Sequence, residues 1–160
     1  MKTKLDSKLV ELAGRNWLTS ELLRAGLEVA RPERDRGIDL IAYRDIGEKK
    51  QFVAYPIQMK ADSASTFSID PKYAKFARLI MAYVWDLNDS AVTKCFALTY
   101  AEALQVATEM GYTRTPSWLT GGRTQKRGYT TTAPSRKLCA LLSPFQMDSE
   151  KWVKLADRLE

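Results

Sequence analysis

Two short apolar runs, each broken by polar residues, constrain this chain more than anything else in it. The first is residues 37–43, Gly-Ile-Asp-Leu-Ile-Ala-Tyr, and the second is residues 52–60, Phe-Val-Ala-Tyr-Pro-Ile-Gln-Met-Lys. Their length and their β-branched and aromatic content predict two strands, joined by polar, turn-forming sequence over 44–50. Side chains on a strand alternate between faces, so Gln58 and Lys60 share one face, while Asp39 stands between Ile38 and Leu40 where the pattern asks for burial. Burying an acid and an ammonium is costly unless each finds a partner. The residues alone leave two solutions open: a structural Asp39–Lys60 ion pair, or a site that holds a metal ion and a phosphate.

Around these runs the pattern predicts a first helix over 6–25, capped by Asp6 or Ser7 and stopped by Gly26. Leu9, Leu12, Ala13, Trp17 and Leu23 recur at helical spacing and are the expected core stripe. Glu21 projects to the Val10 and Gly14 side of this helix, and Glu11 to the edge of the apolar arc, one turn before Arg15. Each of these acids is either an ordinary paired or solvated helix glutamate or a carboxylate turned toward the strands. Residues 27–30 read as a first strand. Asp70 and Pro71 open an expected helix running to about residue 87, with Phe76, Leu79, Ile80 and Tyr83 inward. Residues 92–100 read as a further strand, 101–110 as a short helix ending at Gly111, 135–142 as another, and 148–159 as a terminal helix docked by Trp152, Leu155 and Leu159. The order helix, three strands, helix, strand, helix predicts a single α/β or α+β domain over 1–160 with a mixed central sheet flanked by helices.

The residue inventory removes several chemistries. The chain has no histidine and only two cysteines, Cys95 and Cys139, which excludes Cys/His zinc sites and histidine-based nucleophile or acid–base systems. A metal here would be a hard cation on oxygen ligands, such as Mg²⁺, Mn²⁺ or Ca²⁺. No apolar run is long enough to span a bilayer and residues 1–6 lack a signal-peptide core, so the expected setting is cytoplasmic, with no membrane partner.

The net charge of +6 is concentrated. Between Glu109 and Asp148 no acid occurs, while Arg114, Arg123, Lys126, Arg127, Arg136 and Lys137 all do. That segment is either a solvated basic face or a surface for a polyanion. Residues 113–134 are its least regular part and read as a functional loop, in which basic side chains mixed with Trp118 and Tyr129 suit phosphate contacts and base stacking.

A helix, then Gly-Ile-Asp-Leu-Ile-Ala over 37–42, then Ile-Gln-Met-Lys over 57–60, with Asp35-x-Gly37-x-Asp39 leading in, resembles the PD-(D/E)XK nuclease superfamily. Within it the chain is most similar to Holliday-junction-resolvase-like proteins and to a Gln-x-Lys homing-endonuclease branch. The resemblance covers about residues 9–100. It implies a restriction-endonuclease-like αβββαβ core, about 6–111, followed by a basic loop and C-terminal helices, about 112–160. It implies a Mg²⁺- or Mn²⁺-dependent endonuclease acting on duplex or branched DNA. Asp39 matches the metal-ligating aspartate, Gln58 the second ligand position, and Lys60 the lysine that steadies the attacked phosphate. The family's first-helix glutamate falls at about the register of Arg15, which leaves Glu11 or Glu21 to supply a further catalytic carboxylate, Glu11 as a metal ligand. Arg123, Lys126, Arg127, Arg136 and Lys137, with Trp118 and Tyr129, are the expected DNA-binding residues. A non-catalytic nucleic-acid- or protein-binding module on the same fold is the alternative, and a homodimer or higher homo-oligomer is left open.

Overall fold

The computed structural model describes residues 6–46 and 51–158. The expected turn at Gly47 and the docking role of Leu159 lie outside the described residues.

Helix α1 spans Ser7–Arg24, and the Asp6 carboxylate caps it by accepting from the Lys8 and Leu9 N–H groups. Strands β1 (Glu28–Ala30), β2 (Leu40–Ile46) and β3 (Gln51–Ala61) follow as an antiparallel meander. The register sets Leu40 opposite Ile57. After the short β4 (Phe67–Ile69) and a 3₁₀ turn over Pro71–Lys75, β5 (Ile80–Trp85) runs parallel to β3, and β6 (Lys94–Thr99) pairs antiparallel with β5. The main sheet is therefore mixed and five-stranded, in the order β1-β2-β3-β5-β6. Helix α2 (Tyr100–Glu109) starts on a capping box between Thr99 and Glu102. It is followed by α3 (Pro116–Thr120), β7 (Tyr129–Thr131), α4 (Arg136–Leu142) and α5 (Ser149–Arg158).

Each face of the sheet carries its own apolar layer. Leu18 and Leu22 of α1, Tyr55, Ile57 and Met59 of β3, and Trp152 and Leu155 of α5 form one. Met81, Tyr83 and Trp85 of β5, with Ala103, Val106 and Ala107 of α2, Leu138 and Leu142 of α4, and Trp118, form the other. The α+β class with a helix-flanked mixed sheet is thus as expected. The basic segment is not an appendage: β7 returns to pair with β4, and Leu138 and Leu142 complete the second layer. Among the described residues no helix is long and apolar enough to cross a membrane.

Two expectations fail. The helix over 70–87 is absent. Asp70 caps only one 3₁₀ turn, Arg78 adopts a left-handed φ of 60°, and Ile80–Trp85 is a strand with every residue buried. A central strand covered on both faces is apolar throughout, and so loses the alternation that separates a strand from a buried helix. The core stripe of α1 is also rotated. Val10, Gly14, Leu18 and Leu22 are buried, whereas Leu9, Leu12 and Leu23 remain 48%, 45% and 52% exposed. Gly14 sets this orientation: a Cβ there would lie 2.5 Å from the Ala61 Cβ, so the helix backbone approaches β3 through its smallest residue.

Candidate active site

Asp39 stands just before β2, and its N–H donates to the Ile57 carbonyl at 2.8 Å, extending the ladder with β3. The chain reaches it through a tight turn in which the Gly37 N–H bonds Asp35 Oδ1 at 2.9 Å and Gly37 adopts φ +93°. A Cβ on Gly37 would meet the Tyr73 ring at 3.0 Å. Because β2 and β3 are antiparallel, the start of β2 lies beside the end of β3. Asp39 thereby meets Gln58 and Lys60 on one sheet face.

The local bonds are specific. Asp39 Oδ2 accepts from the Gln58 amide Nε2 at 2.6 Å and from the Met59 N–H at 2.7 Å. The same amide nitrogen donates to the Met59 carbonyl at 3.0 Å, which fixes it with nitrogen toward the carboxylate. Lys60 donates to the Tyr73 hydroxyl at 3.2 Å. The direct Asp39–Lys60 ion pair left open by the sequence does not form: Lys60 acts on Asp39 only through longer-range attraction. Burial raises the Asp39 pKa above the usual aspartate value. The Met59 N–H opposes that rise, the Asp35 charge adds to it, and Lys60 and Arg15 pull against it.

These residues line an open cleft of about 760 Å³, together with Glu11, Asp35, Arg36, Thr66, Ser68, Lys72, Tyr73 and Thr130. Glu11 lines the cleft, and its carboxylate is paired with Arg15 one turn along α1. Glu21 is not in the cleft. It pairs with Arg24 at 2.6 Å, and its charge acts on buried Cys95, so it is corrected to a structural helix glutamate. Among the described residues no three acidic or cysteine side chains gather into a group able to hold a metal ion. Asp39 Oδ1, Gln58 Oε1 and the Asp35 carboxylate remain as oxygen donors along the cleft. That set fits only a cation drawing most of its ligands from water and phosphate, which is how Mg²⁺ is commonly held.

Of the expected DNA-binding residues, two are brought beside the cleft. Lys126 and Arg127 line a groove of about 490 Å³ with Asp70, Pro71 and Lys72, and Lys72 also lines the cleft. Tyr129 lines an adjoining groove but is stacked on Tyr112, with ring centroids 3.9 Å apart. Trp118 is corrected: at 8% exposure it belongs to the second apolar layer and offers no stacking face. Arg123 and Arg136 are exposed but line neither the cleft nor these grooves, and Lys137 donates to the Glu109 carbonyl at the end of α2.

Sequence reasoning missed Arg36, Lys72 and Tyr73. The Asp-Pro-Lys-Tyr run at 70–73 carried a signal, a basic and an aromatic residue at a Pro turn, but the expected helix hid it.

The fold and cleft together define an α+β domain whose mixed sheet presents a carboxylate, an amide and an ammonium in one cation-rimmed cleft. Compared with family models, curated proteins and solved structures, the chain finds no match.

Proposed function

We propose that this chain is a DNA endonuclease of the PD-(D/E)XK type, with a restriction-endonuclease-like core in which β4 and the 3₁₀ turn at Pro71–Lys75 replace the usual crossover helix. The observation that carries the reading is the placement of Asp39 against Gln58 at 2.6 Å, with Lys60 two residues along the same strand face and opening into the same cleft. The parallel pairing of β3 with β5 supports it, because a three-strand meander followed by a crossover to a parallel strand is the order the resemblance implies.

The roles follow from the geometry. Asp39 and Gln58 would hold a Mg²⁺ or Mn²⁺ ion, which when bound supplies charge neutralisation at phosphate and an acidified water. Lys60 places a positive charge where negative charge develops on the attacked phosphate. Lys72, Lys126 and Arg127 continue the positive rim along the grooves and would grip the DNA backbone. In a cell the substrate would be duplex or branched DNA.

A second reading, a nucleic-acid-binding module without cleavage, is favoured by one observation: the Glu11 carboxylate is held by Arg15, so it is not free to complete a metal site with Asp39. Incubation of supercoiled and junction DNA with the protein and Mg²⁺ or Mn²⁺ separates the two. Cleavage lost in Asp39→Asn and Lys60→Ala supports the nuclease. No cleavage of any of these DNAs and no heat of Mn²⁺ binding by calorimetry, with DNA affinity that falls steeply as salt rises, supports the binding module.

A further inference from the structure

The 3₁₀ turn that stands where a crossover helix was expected brings one buried side chain to the wall of the cleft. Tyr73 is 3% exposed, its ring lies against Gly37, and its hydroxyl accepts from Lys60. The two ammonium groups nearest this ring are those of Lys60, 5.3 Å from its centroid, and Lys72, 4.9 Å from it. Lys60 is half-buried and has no carboxylate partner among the described residues. A half-buried ammonium whose only bond is to a hydroxyl has unused positive charge and two further N–H donors. Lys72 is tied on one side to Asp70 at 3.3 Å and keeps its side chain 60% exposed toward the cleft and groove. Partial desolvation opposes its charge, but Tyr73 and Asp70 outweigh that and raise its pKa, so it is charged at neutral pH. The phenol accepts from Lys60 and still has its own hydrogen to donate.

We propose that Lys60, Tyr73 and Lys72 form an anion site that binds the non-bridging oxygens of a phosphate group without a metal ion. Both ammoniums lie within 5.3 Å of the Tyr73 ring centroid and line the same cleft as the phenol, and a phosphate offers them acceptor oxygens spread around a single centre. Asp39 and Asp35 line the same cleft and repel an anion, so the attraction rests on Lys60 and Lys72, with Arg36 beside them. The site deepens the nuclease reading, because it would hold the phosphodiester beside Asp39, but it does not require cleavage. The phosphate could belong to a nucleic-acid strand or be free.

The test is binding in EDTA, where no divalent cation contributes. Fluorescence anisotropy follows a labelled twelve-nucleotide DNA single strand at low salt, and inorganic phosphate is then added as competitor. Wild-type protein is expected to bind the strand. Tyr73→Phe and Lys72→Ala are each expected to weaken it roughly five- to tenfold, the scale of one lost charge-assisted hydrogen bond. Competition by millimolar phosphate identifies the phosphate oxygens as the recognised group. Strand binding without such competition assigns the site to polynucleotide only. Lys72→Ala alters an exposed side chain, so it decides the matter if Tyr73→Phe fails to fold. Affinity unchanged in folded Lys72→Ala overturns the proposal. DNA binding lost in these variants, in a protein that never cleaves with Mg²⁺, retains the anion site and removes only the nuclease.

Discussion

Asp39 and Gln58 are joined by a 2.6 Å hydrogen bond in which the amide nitrogen faces the carboxylate, and the Met59 N–H reaches the same oxygen at 2.7 Å. Gln58 thus offers a partial positive charge to Asp39, where an acid at the same position would repel it. The amide satisfies the carboxylate without neutralising it. Burial still disfavours the charged form, and the pKa of Asp39 is raised.

The raised pKa has a definite consequence for Asp39→Asn. A folded-state pKa above the unfolded value of about 3.9 means that Asp39 favours folding below that pH and loses this contribution as pH rises through the folded pKa. At neutral pH the ionised carboxylate is therefore a cost. Asparagine keeps an oxygen to accept from Gln58 and Met59 and carries no charge. Thermal melts should show Asp39→Asn more stable than wild type at pH 7, with the difference closing at pH 3 to 4. A variant that melts lower at pH 7 would contradict the assignment of burial as the dominant cause.

Gln58→Glu makes the complementary change. It replaces the donor at 2.6 Å by a second carboxylate in a site only 5% exposed at that residue. Two acids at that separation share one proton or repel, so the variant should lose about 1–3 kcal/mol at neutral pH, the cost of an unmet buried polar group. Acidification should restore the loss. Mn²⁺ should restore it too, because the variant presents two carboxylates to one cation. Denaturant melts with and without Mn²⁺ read this directly, and a variant indifferent to both would show that the two side chains do not face each other.

The strands carrying Asp39, Gln58 and Lys60 were legible because half-buried strands keep a period of two, and polar interruptions stand out against it. The cap of α1 was legible because Asp6 is a local signal, whereas Thr99, read as strand, caps α2. The run Ile80–Trp85 was not, since Phe76, Leu79, Ile80 and Tyr83 satisfy helical spacing as well as a buried strand does. The face of α1 was misread because leucines weigh more than glycine in any apolar projection, although the contact is made where Gly14 lets backbone reach Ala61. The placement of Tyr73 depends on the turn after β4 folding back onto Lys60 and Gly37, and the β4–β7 pairing on segments 62 positions apart meeting in space, as Ser68 meets Thr130. No local pattern encodes that.

Gly14→Ala sets a local preference against a tertiary one. In a helix interior alanine is favoured over glycine by about 1 kcal/mol. Here the added Cβ would lie 2.5 Å from Ala61 Cβ and 3.1 Å from Leu87 Cδ1, so helix and sheet must separate. Overpacking of this kind costs about 1–3 kcal/mol, which wins. Chemical denaturation should show net destabilisation, and the double variant Gly14→Ala with Ala61→Gly should recover part of it. A stabilised single variant would mean that α1 does not pack on β3 through Gly14.

Not all of the basic segment should matter equally for nucleic acid. Lys126 is exposed and lines the groove it shares with Lys72, which opens to the cleft, whereas Lys137 spends its ammonium on the Glu109 carbonyl at the end of α2. Each phosphate contact contributes a slope of about −0.9 to the dependence of log affinity on log salt for duplex DNA. Lys126→Ala should therefore weaken duplex binding and make the slope shallower by about that amount. Lys137→Ala should leave the slope unchanged and instead lower the melting temperature slightly, because the last turn of α2 loses a partner. Trp118→Ala should behave as a core truncation, destabilising by about 3–5 kcal/mol, with no loss of affinity under conditions where the protein remains folded. Anisotropy titrations across a salt series with parallel thermal melts distinguish the three. Equal slopes for Lys126→Ala and Lys137→Ala would place the DNA-contacting surface away from the Lys72–Lys126 groove.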